Sequence, residues 1–145
     1  MDTMNILVVD AQGGGIGKQL VAAIKQNIPG AAVTAVGTNS AATSAMLKAG
    51  ADRAATGENA VVVGARSADI IAGPVGIVIA DSLLGETTPA MAAAIGQSRA
   101  KRILIPVNHC DNIIAGVPDL SVAALVQNAV DRISALSNCQ YSRRL

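Results

Sequence analysis

The sequence of 145 residues lacks large aromatic side chains. It contains no Phe and no Trp, and Tyr141 is its only aromatic residue. Proteins that hold single-stranded nucleic acid stack the bases on aromatic side chains, and those that hold duplexes need a concentrated basic face. This chain has 11 Lys and Arg against 10 Asp and Glu, a net charge of +1. We therefore expect no nucleic-acid partner.

Long hydrophobic runs, a leader segment and a cysteine framework are missing as well. The most apolar run, residues 70–80, is followed by Asp81 and is well short of the ~18–20 residues that a membrane-spanning helix needs. No basic segment followed by a long apolar one opens the chain, so we expect no signal peptide. Cys110, Cys139 and the single histidine have no spacing typical of disulfide frameworks or metal ligands. These observations predict a cytoplasmic protein with no membrane partner and no metal.

The sequence does contain apolar strands that alternate with amphipathic helices. Residues 5–10 are a continuous apolar run, typical of a strand buried on both faces. Further strands are predicted over residues 31–36, 53–55, 69–73 and 102–107, and helices over residues 18–26, 41–49, 89–95 and 122–136. Residues 59–65 are left open between a helix and a strand. The alternation predicts one doubly wound, Rossmann-like α/β domain over residues 1–145, with a mostly parallel five-stranded sheet in the order 3-2-1-4-5.

The chain between the fourth and fifth predicted strands is too long for one crossover helix. Two full-length helices would return the chain to the wrong edge of a parallel sheet. Thr88 and Pro89 are a typical N-cap and first-turn pair, so the helix over residues 89–95 is predicted to make the crossover. Residues 74–87 are then expected to stay at the carboxyl edge as a short helix or flap, which makes Asp81 and Glu86 additional site candidates.

A glycine-rich loop follows the first predicted strand. Backbone amides in such a strand–helix loop form a site for anions, and glycine lets a phosphate approach them. The loop departs from a Walker A motif and from the dinucleotide fingerprint because Gln12 stands in place of the first glycine of each. A tight turn without a ligand is the alternative interpretation. The predicted binding residues here are Gln12, Gly13, Gly14, Gly15, Ile16, Gly17 and Lys18.

The end of the second predicted strand distinguishes between nucleotide cofactors. In NAD-binding folds an acidic residue about 20 residues after the loop binds the ribose diol. Gly37, Thr38 and Asn39 occupy this place. We therefore expect NADP slightly more than NAD, with Thr38, Asn39 and Ser40 as candidates for binding the 2′-phosphate, although no Arg accompanies them. The alternative is that Ser40 only caps the second helix.

Two further groups of residues are candidates for the site. Gly73, Pro74 and Gly76 end the fourth predicted strand and should face the glycine-rich loop across the crevice where such sheets bind ligands. His109 and Cys110 follow the fifth strand and, with Asp10, are the catalytic candidates. The alternatives are a solvent-facing His, a buried Cys and an Asp that orients the loop amides. Whether the protein is an enzyme stays open.

The linked motifs of the chain resemble a family of small Rossmann-like bacterial proteins of unknown function. The resemblance is carried by residues 10–18, 37–39, 50–52, 55–59, 73–74 and 103–108, and it spans nearly the whole chain. It implies a Rossmann-type fold and a cytosolic setting, but no catalytic residues. Ala11 departs from the family loop, in which we expect a glycine.

The leading interpretation is a protein that binds a nucleotide, dinucleotide or other small phosphorylated molecule through the loop amides, with Lys18 adding charge. The alternative is a non-catalytic sensor of a phosphorylated metabolite or nucleotide. A further alternative is a structural subunit whose Ala-rich helices pack against a partner. Whether the chain forms a homodimer is left open.

Overall fold

The computed structural model describes residues 3–107 and 112–142. Five strands form one sheet in the order β3-β2-β1-β4-β5, and each neighbouring pair is parallel. The strands are β1 (Asn5–Asp10), β2 (Ala32–Gly37), β3 (Arg53–Thr56), β4 (Ile70–Pro74) and β5 (Lys101–Ile105). The predicted fold class and strand order are confirmed.

Helices cover both faces of this sheet. They are α1 (Gly15–Asn27), α2 (Ser40–Lys48), α3 (Glu58–Ser67), α4 (Pro89–Gln97) and α5 (Val122–Ser142). On β1, Ile6 and Val8 pack into a cluster with α1, α2 and α5, whereas Leu7 and Val9 pack into a cluster with α3 and α4. This two-sided burial explains the continuous apolar run of the first strand. In the described part of the chain, no helix combines the length and apolarity needed to cross a membrane.

Two local predictions are decided by the structure. The segment left open between helix and strand is helical, because Val61 and Ala65 lie four residues apart on the buried face of α3 while Val63 is 48% exposed. The alternative role given to Ser40, as the cap of the second helix, is wrong because Asn39 is the cap: its Oδ1 accepts from the Ala42 amide at 2.9 Å. Asn39 has the extended backbone that an N-cap requires, whereas Ser40 is already the first helical residue.

The segment between β4 and α4 stays at the carboxyl edge of the sheet, as the crossover argument predicts. A short 3₁₀ helix (Val75–Val78) follows β4, and α4 begins at Pro89 after the N-cap Thr88. Between them, Glu86 accepts hydrogen bonds from Gln12 in the loop after β1 and from Thr38, which directly follows β2. The chain therefore makes its crossover through α4 alone.

Candidate functional site

The four glycines of the loop fall into two structural kinds. A Cβ on Gly14 would lie 2.9 Å from the Cα of Ala42, and one on Gly17 would lie 2.8 Å from the Cβ of Asp10. These two glycines let α1 approach its neighbours, and both are buried. Gly13 and Gly15 are exposed, and a Cβ on either would meet nothing within 4 Å. Packing therefore accounts for Gly14 and Gly17 but not for Gly13 and Gly15.

Asp10 is buried and accepts hydrogen bonds from two backbone amides of the loop. Its Oδ1 accepts from the amide of Ala11 at 2.8 Å and its Oδ2 from the amide of Gly17 at 2.6 Å, and the residue is only 4% exposed. Burial raises the pKa of this carboxyl, and hydrogen bonds from the amides of Gly17, Ala11 and Ile16 offset that rise only in part. The Gly17 amide, predicted to bind a ligand, thus donates to Asp10. Asp10 therefore orients two amides of the loop.

Glu86 is a second carboxylate that accepts a hydrogen bond from the loop. Three donors converge on its Oε1: the Gln12 amide at 3.0 Å, the Thr38 hydroxyl at 2.7 Å and the Asn39 side-chain amide at 2.6 Å. Desolvation raises the pKa of this carboxyl, but the three hydrogen bonds together lower it by more. The net pKa therefore lies below its ordinary value. Glu86 is therefore ionised at neutral pH.

No acidic residue follows the second strand in the sequence, but the fold brings the carboxylate of Glu86 to the end of that strand. Thr38 and Asn39 lie where they were predicted, at the end of β2, but in this structure they hold the Glu86 carboxylate. Glu86 was a site candidate only because of its segment, and no motif indicates the contact. Since 48 residues separate Thr38 from Glu86, a search near the end of β2 misses this carboxylate.

A cleft of about 220 Å³ lies beside the loop. Its lining residues come from the loop, the start of α1, the end of β4, the following segment and the start of α5: Asp10, Ala11, Gln12, Gly13, Gly15, Ile16, Gln19, Pro74, Leu83 and Val122. Pro74 therefore lines the same cleft as Gly13 and Gly15 of the glycine-rich loop. Gly73 and Gly76 serve packing, since a Cβ on Gly73 would overlap the Val9 carbonyl oxygen and one on Gly76 would lie 3.0 Å from the Leu83 Cγ.

The turn that presents Glu86 has an unusual backbone. Asp81, Leu83 and Leu84 have φ values of 63°, 56° and 58°, a region that residues other than glycine seldom adopt. The Asp81 amide donates to the Thr87 carbonyl at 2.8 Å, which closes the turn. Leu83 is buried, whereas Leu84 is 95% exposed. The buried Leu83 and the backbone bond therefore anchor the turn independently of Glu86.

Two other predicted binding residues take no part in this arrangement. Lys18 and Ser40 are exposed and do not line the cleft. His109 and Cys110 lie outside the described residues. Over residues 3–107 and 112–142, no group of three or more His, Cys, Asp or Glu residues is placed to hold a metal ion.

Fold and site together define a doubly wound parallel α/β protein with a glycine-rich loop at the carboxyl edge of its sheet. The chain belongs to the DUF3842 family, a domain of unknown function that matches residues 5–138. This match confirms the resemblance to a family of unknown function. Among solved structures, the chain is similar to a dodecameric FMN-dependent UbiX-like decarboxylase from Escherichia coli O157:H7, with 18% identity, coverage of 90% of this chain and 76% of that chain, and a TM-score of 0.43. No curated protein matches the chain.

Proposed function

We propose that residues 1–145 form a nucleotide-binding domain that holds the ligand's phosphate on the amides of Gly13 and Gly15. The observation that carries the proposal is the open space at these two glycines, where a Cβ would have no described atom within 4 Å. Neither amide donates a hydrogen bond to another described residue. Both glycines line the cleft, so a phosphate there would receive two unpaired donors.

The dimensions of the cleft limit what it encloses. Its volume of about 220 Å³ is below the roughly 300–1,000 Å³ typical of small-molecule sites. It therefore fits the phosphate-bearing part of a nucleotide, with the base lying along the edge of the sheet. Because the chain has no Phe or Trp, aliphatic and short polar side chains must contact the base. Recognition of the phosphate and ribose should then dominate the affinity.

The choice between cofactors changes once Glu86 is considered. The sequence favoured NADP because no carboxylate follows the second strand. With the Glu86 carboxylate beside Thr38 and Asn39, a 2′-phosphate at this place would meet a negative charge. NADP therefore becomes the comparison ligand, and nucleotides with a free 2′-hydroxyl become the favoured ones.

A non-catalytic sensor is the second candidate function. Asp10 is the only one of the three catalytic candidates among the described residues. Both of its oxygens accept backbone amides, and it is nearly inaccessible, which suits a structural role better than proton transfer. Turnover assays on any nucleotide that binds would separate a sensor from an enzyme.

The proposal is tested by isothermal titration of the full chain with ADP, NAD, NADP and inorganic pyrophosphate. Gly15→Ala places a methyl group in the open cleft, and Gly96→Ala is the matched control, because a Cβ on Gly96 also meets nothing within 4 Å and Gly96 lies on α4, away from the cleft. We expect the wild type and Gly96→Ala to bind alike and Gly15→Ala to bind at least tenfold more weakly. Equal binding by Gly15→Ala, or no binding of any of these ligands to the wild type, would overturn the proposal.

A further inference from the structure

We infer that Glu86 recognises the ribose of the bound nucleotide, accepting a hydrogen bond from its 2′-hydroxyl and repelling a 2′-phosphate. This inference rests on the proposed function and narrows its ligand class. The site would take adenosine nucleotides or dinucleotides whose ribose carries a free 2′-hydroxyl, such as ADP or NAD. The residue is supplied by the turn before α4, where no nucleotide-binding motif places it.

The position of the carboxylate is the first argument. In doubly wound sheets that bind dinucleotides, the acid that holds the ribose lies at the end of the second strand, beside the glycine-rich turn. Here β2 ends at Gly37, and the two residues after it hold the Glu86 Oε1 at 2.7 Å and 2.6 Å. The carboxylate therefore lies at the expected place although it comes from a different part of the chain.

The way the carboxylate is held is the second argument. Oε1 takes all three hydrogen bonds that Glu86 receives from the described residues, and none of these bonds reaches Oε2. The side chain is half-buried, so one oxygen is anchored while the other is able to accept a ligand hydroxyl. A preorganised acceptor of this kind loses little conformational entropy when a ligand binds.

The neighbourhood of the proposed phosphate site is the third argument. The Gln12 amide donates to Glu86, and Gln12 directly precedes Gly13 in the loop. The carboxylate is therefore bonded to the residue that precedes the first proposed phosphate donor. A ribose attached to a phosphate on the Gly13 amide would lie next to Glu86 without any change in the backbone conformation.

The negative charge of Glu86 would make the site select a 2′-hydroxyl over a 2′-phosphate. The three groups that hold Glu86 are a backbone amide, a hydroxyl and a carboxamide, all of them neutral. They stabilise the ionised carboxylate without cancelling its charge. A 2′-phosphate carries about two negative charges at neutral pH and would be repelled, whereas a 2′-hydroxyl would donate to the carboxylate.

The experiment compares two ligand pairs by isothermal titration of the full chain: ADP with 2′-deoxy-ADP, and NAD with NADP. For the wild type we expect roughly tenfold weaker binding of 2′-deoxy-ADP than of ADP, as for loss of a hydrogen bond to a charged group. NADP should bind at least tenfold more weakly than NAD. In Glu86→Gln the NADP-to-NAD affinity ratio should rise at least tenfold, and the penalty for 2′-deoxy-ADP should shrink.

Glu58→Gln is the matched control. Glu58 is exposed and follows β3, whose Thr56 pairs with Gly37, so the control removes the same charge from the same edge of the sheet. Its two affinity ratios should equal those of the wild type. If Glu86→Gln fails to fold, Glu86→Asp replaces it: the shorter side chain keeps the repulsion of NADP but loses the preference for ADP over 2′-deoxy-ADP.

Two results would overturn the inference. If Glu86→Gln binds all four nucleotides more tightly and by the same factor, Glu86 blocks the site and is displaced by the ligand. If both ratios stay at the wild-type values, Glu86 does not contact the ribose. In either case the loop proposal survives as long as Gly15→Ala still weakens binding. If no nucleotide binds the wild type, the proposed function fails and the ribose inference fails with it.

Discussion

Asp10 and Glu86 both accept hydrogen bonds from backbone amides of the glycine-rich loop, but they do so in different ways. Asp10 ends β1, is 4% exposed, and accepts the amides of residues one and seven positions further along the chain. Glu86 comes from a turn 74 residues away from Gln12, is half-buried and uses one oxygen. Asp10 thus uses both carboxylate oxygens to hold the loop, whereas the bonds that Glu86 receives from the described residues all reach one oxygen.

The glycines of the loop divide in the same way. Gly14 and Gly17 belong with Asp10, because packing leaves no room for a side chain at either. Gly13 and Gly15 resemble Glu86 in being accessible, because they line the cleft and face open space. Packing thus accounts for two of the four glycines, and the other two are those that we propose bind the phosphate.

The largest expected effect is the loss of Asp10. Asp10→Ala leaves the amides of Ala11 and Gly17 without their acceptor in a buried place, so we expect the free energy of unfolding to fall by about 3 kcal/mol. Urea denaturation measures this change. Asp131→Ala, on the exposed side of α5, is the control and should change stability by less than about 0.5 kcal/mol. An Asp10→Ala protein as stable as the control would refute the structural role of Asp10.

The next effect separates the two kinds of glycine. Gly17→Ala puts a methyl group 2.8 Å from the Asp10 Cβ and should lower the free energy of unfolding by about 2 kcal/mol, as overpacking does. Gly15→Ala adds its methyl group in open space at the first residue of α1 and should leave stability unchanged or slightly raised. Denaturation of both variants without ligand checks the division, and equal losses would contradict it.

A smaller effect is expected from the loss of Glu86. Glu86→Ala removes three hydrogen bonds, but Gln12 is exposed and its amide is left near water. The buried Leu83 still anchors the turn. We expect the free energy of unfolding to fall by about 1 kcal/mol or less. A loss as large as that of Asp10→Ala would show that Glu86 also belongs to the scaffold.

The smallest expected effect is the pH dependence of the contribution that each carboxylate makes to stability. It has opposite signs for Asp10 and Glu86. The folded pKa of Asp10 lies above its ordinary 3.8, so its contribution to stability is present below that value and declines as pH rises through the folded pKa. The folded pKa of Glu86 lies below its ordinary 4.5, so its contribution is present above that value and declines as pH falls through the folded pKa.

Urea denaturation of the wild type, Asp10→Asn and Glu86→Gln across the acidic range checks these signs. The stability difference between the wild type and Asp10→Asn should move against the wild type as pH rises above about 4. The difference between the wild type and Glu86→Gln should move against the wild type as pH falls below about 4.5. If both stability differences changed in the same direction with pH, the opposite pKa shifts of Asp10 and Glu86 would be contradicted.

The features that follow from neighbouring residues were predictable, and those that depend on distant contacts were not. The apolar run of β1, the strand order and the return of residues 74–87 to the carboxyl edge follow from local pattern and from the geometry of parallel sheets. The contact between Glu86 and Thr38 does not, because it depends on how a turn with four left-handed residues directs a side chain. The cap at Asn39 was missed because Ser40 is an equally good capping residue by type.

The most direct test of nucleotide binding at this loop follows the backbone amides of the ¹⁵N-labelled chain by NMR during a titration with ADP. The account predicts that the amides of Gly13 and Gly15 shift most, with those of Gln12 and Thr38 next, while Gly96 on α4 does not move. Saturable shifts centred elsewhere, with Gly13 and Gly15 unchanged, would contradict it.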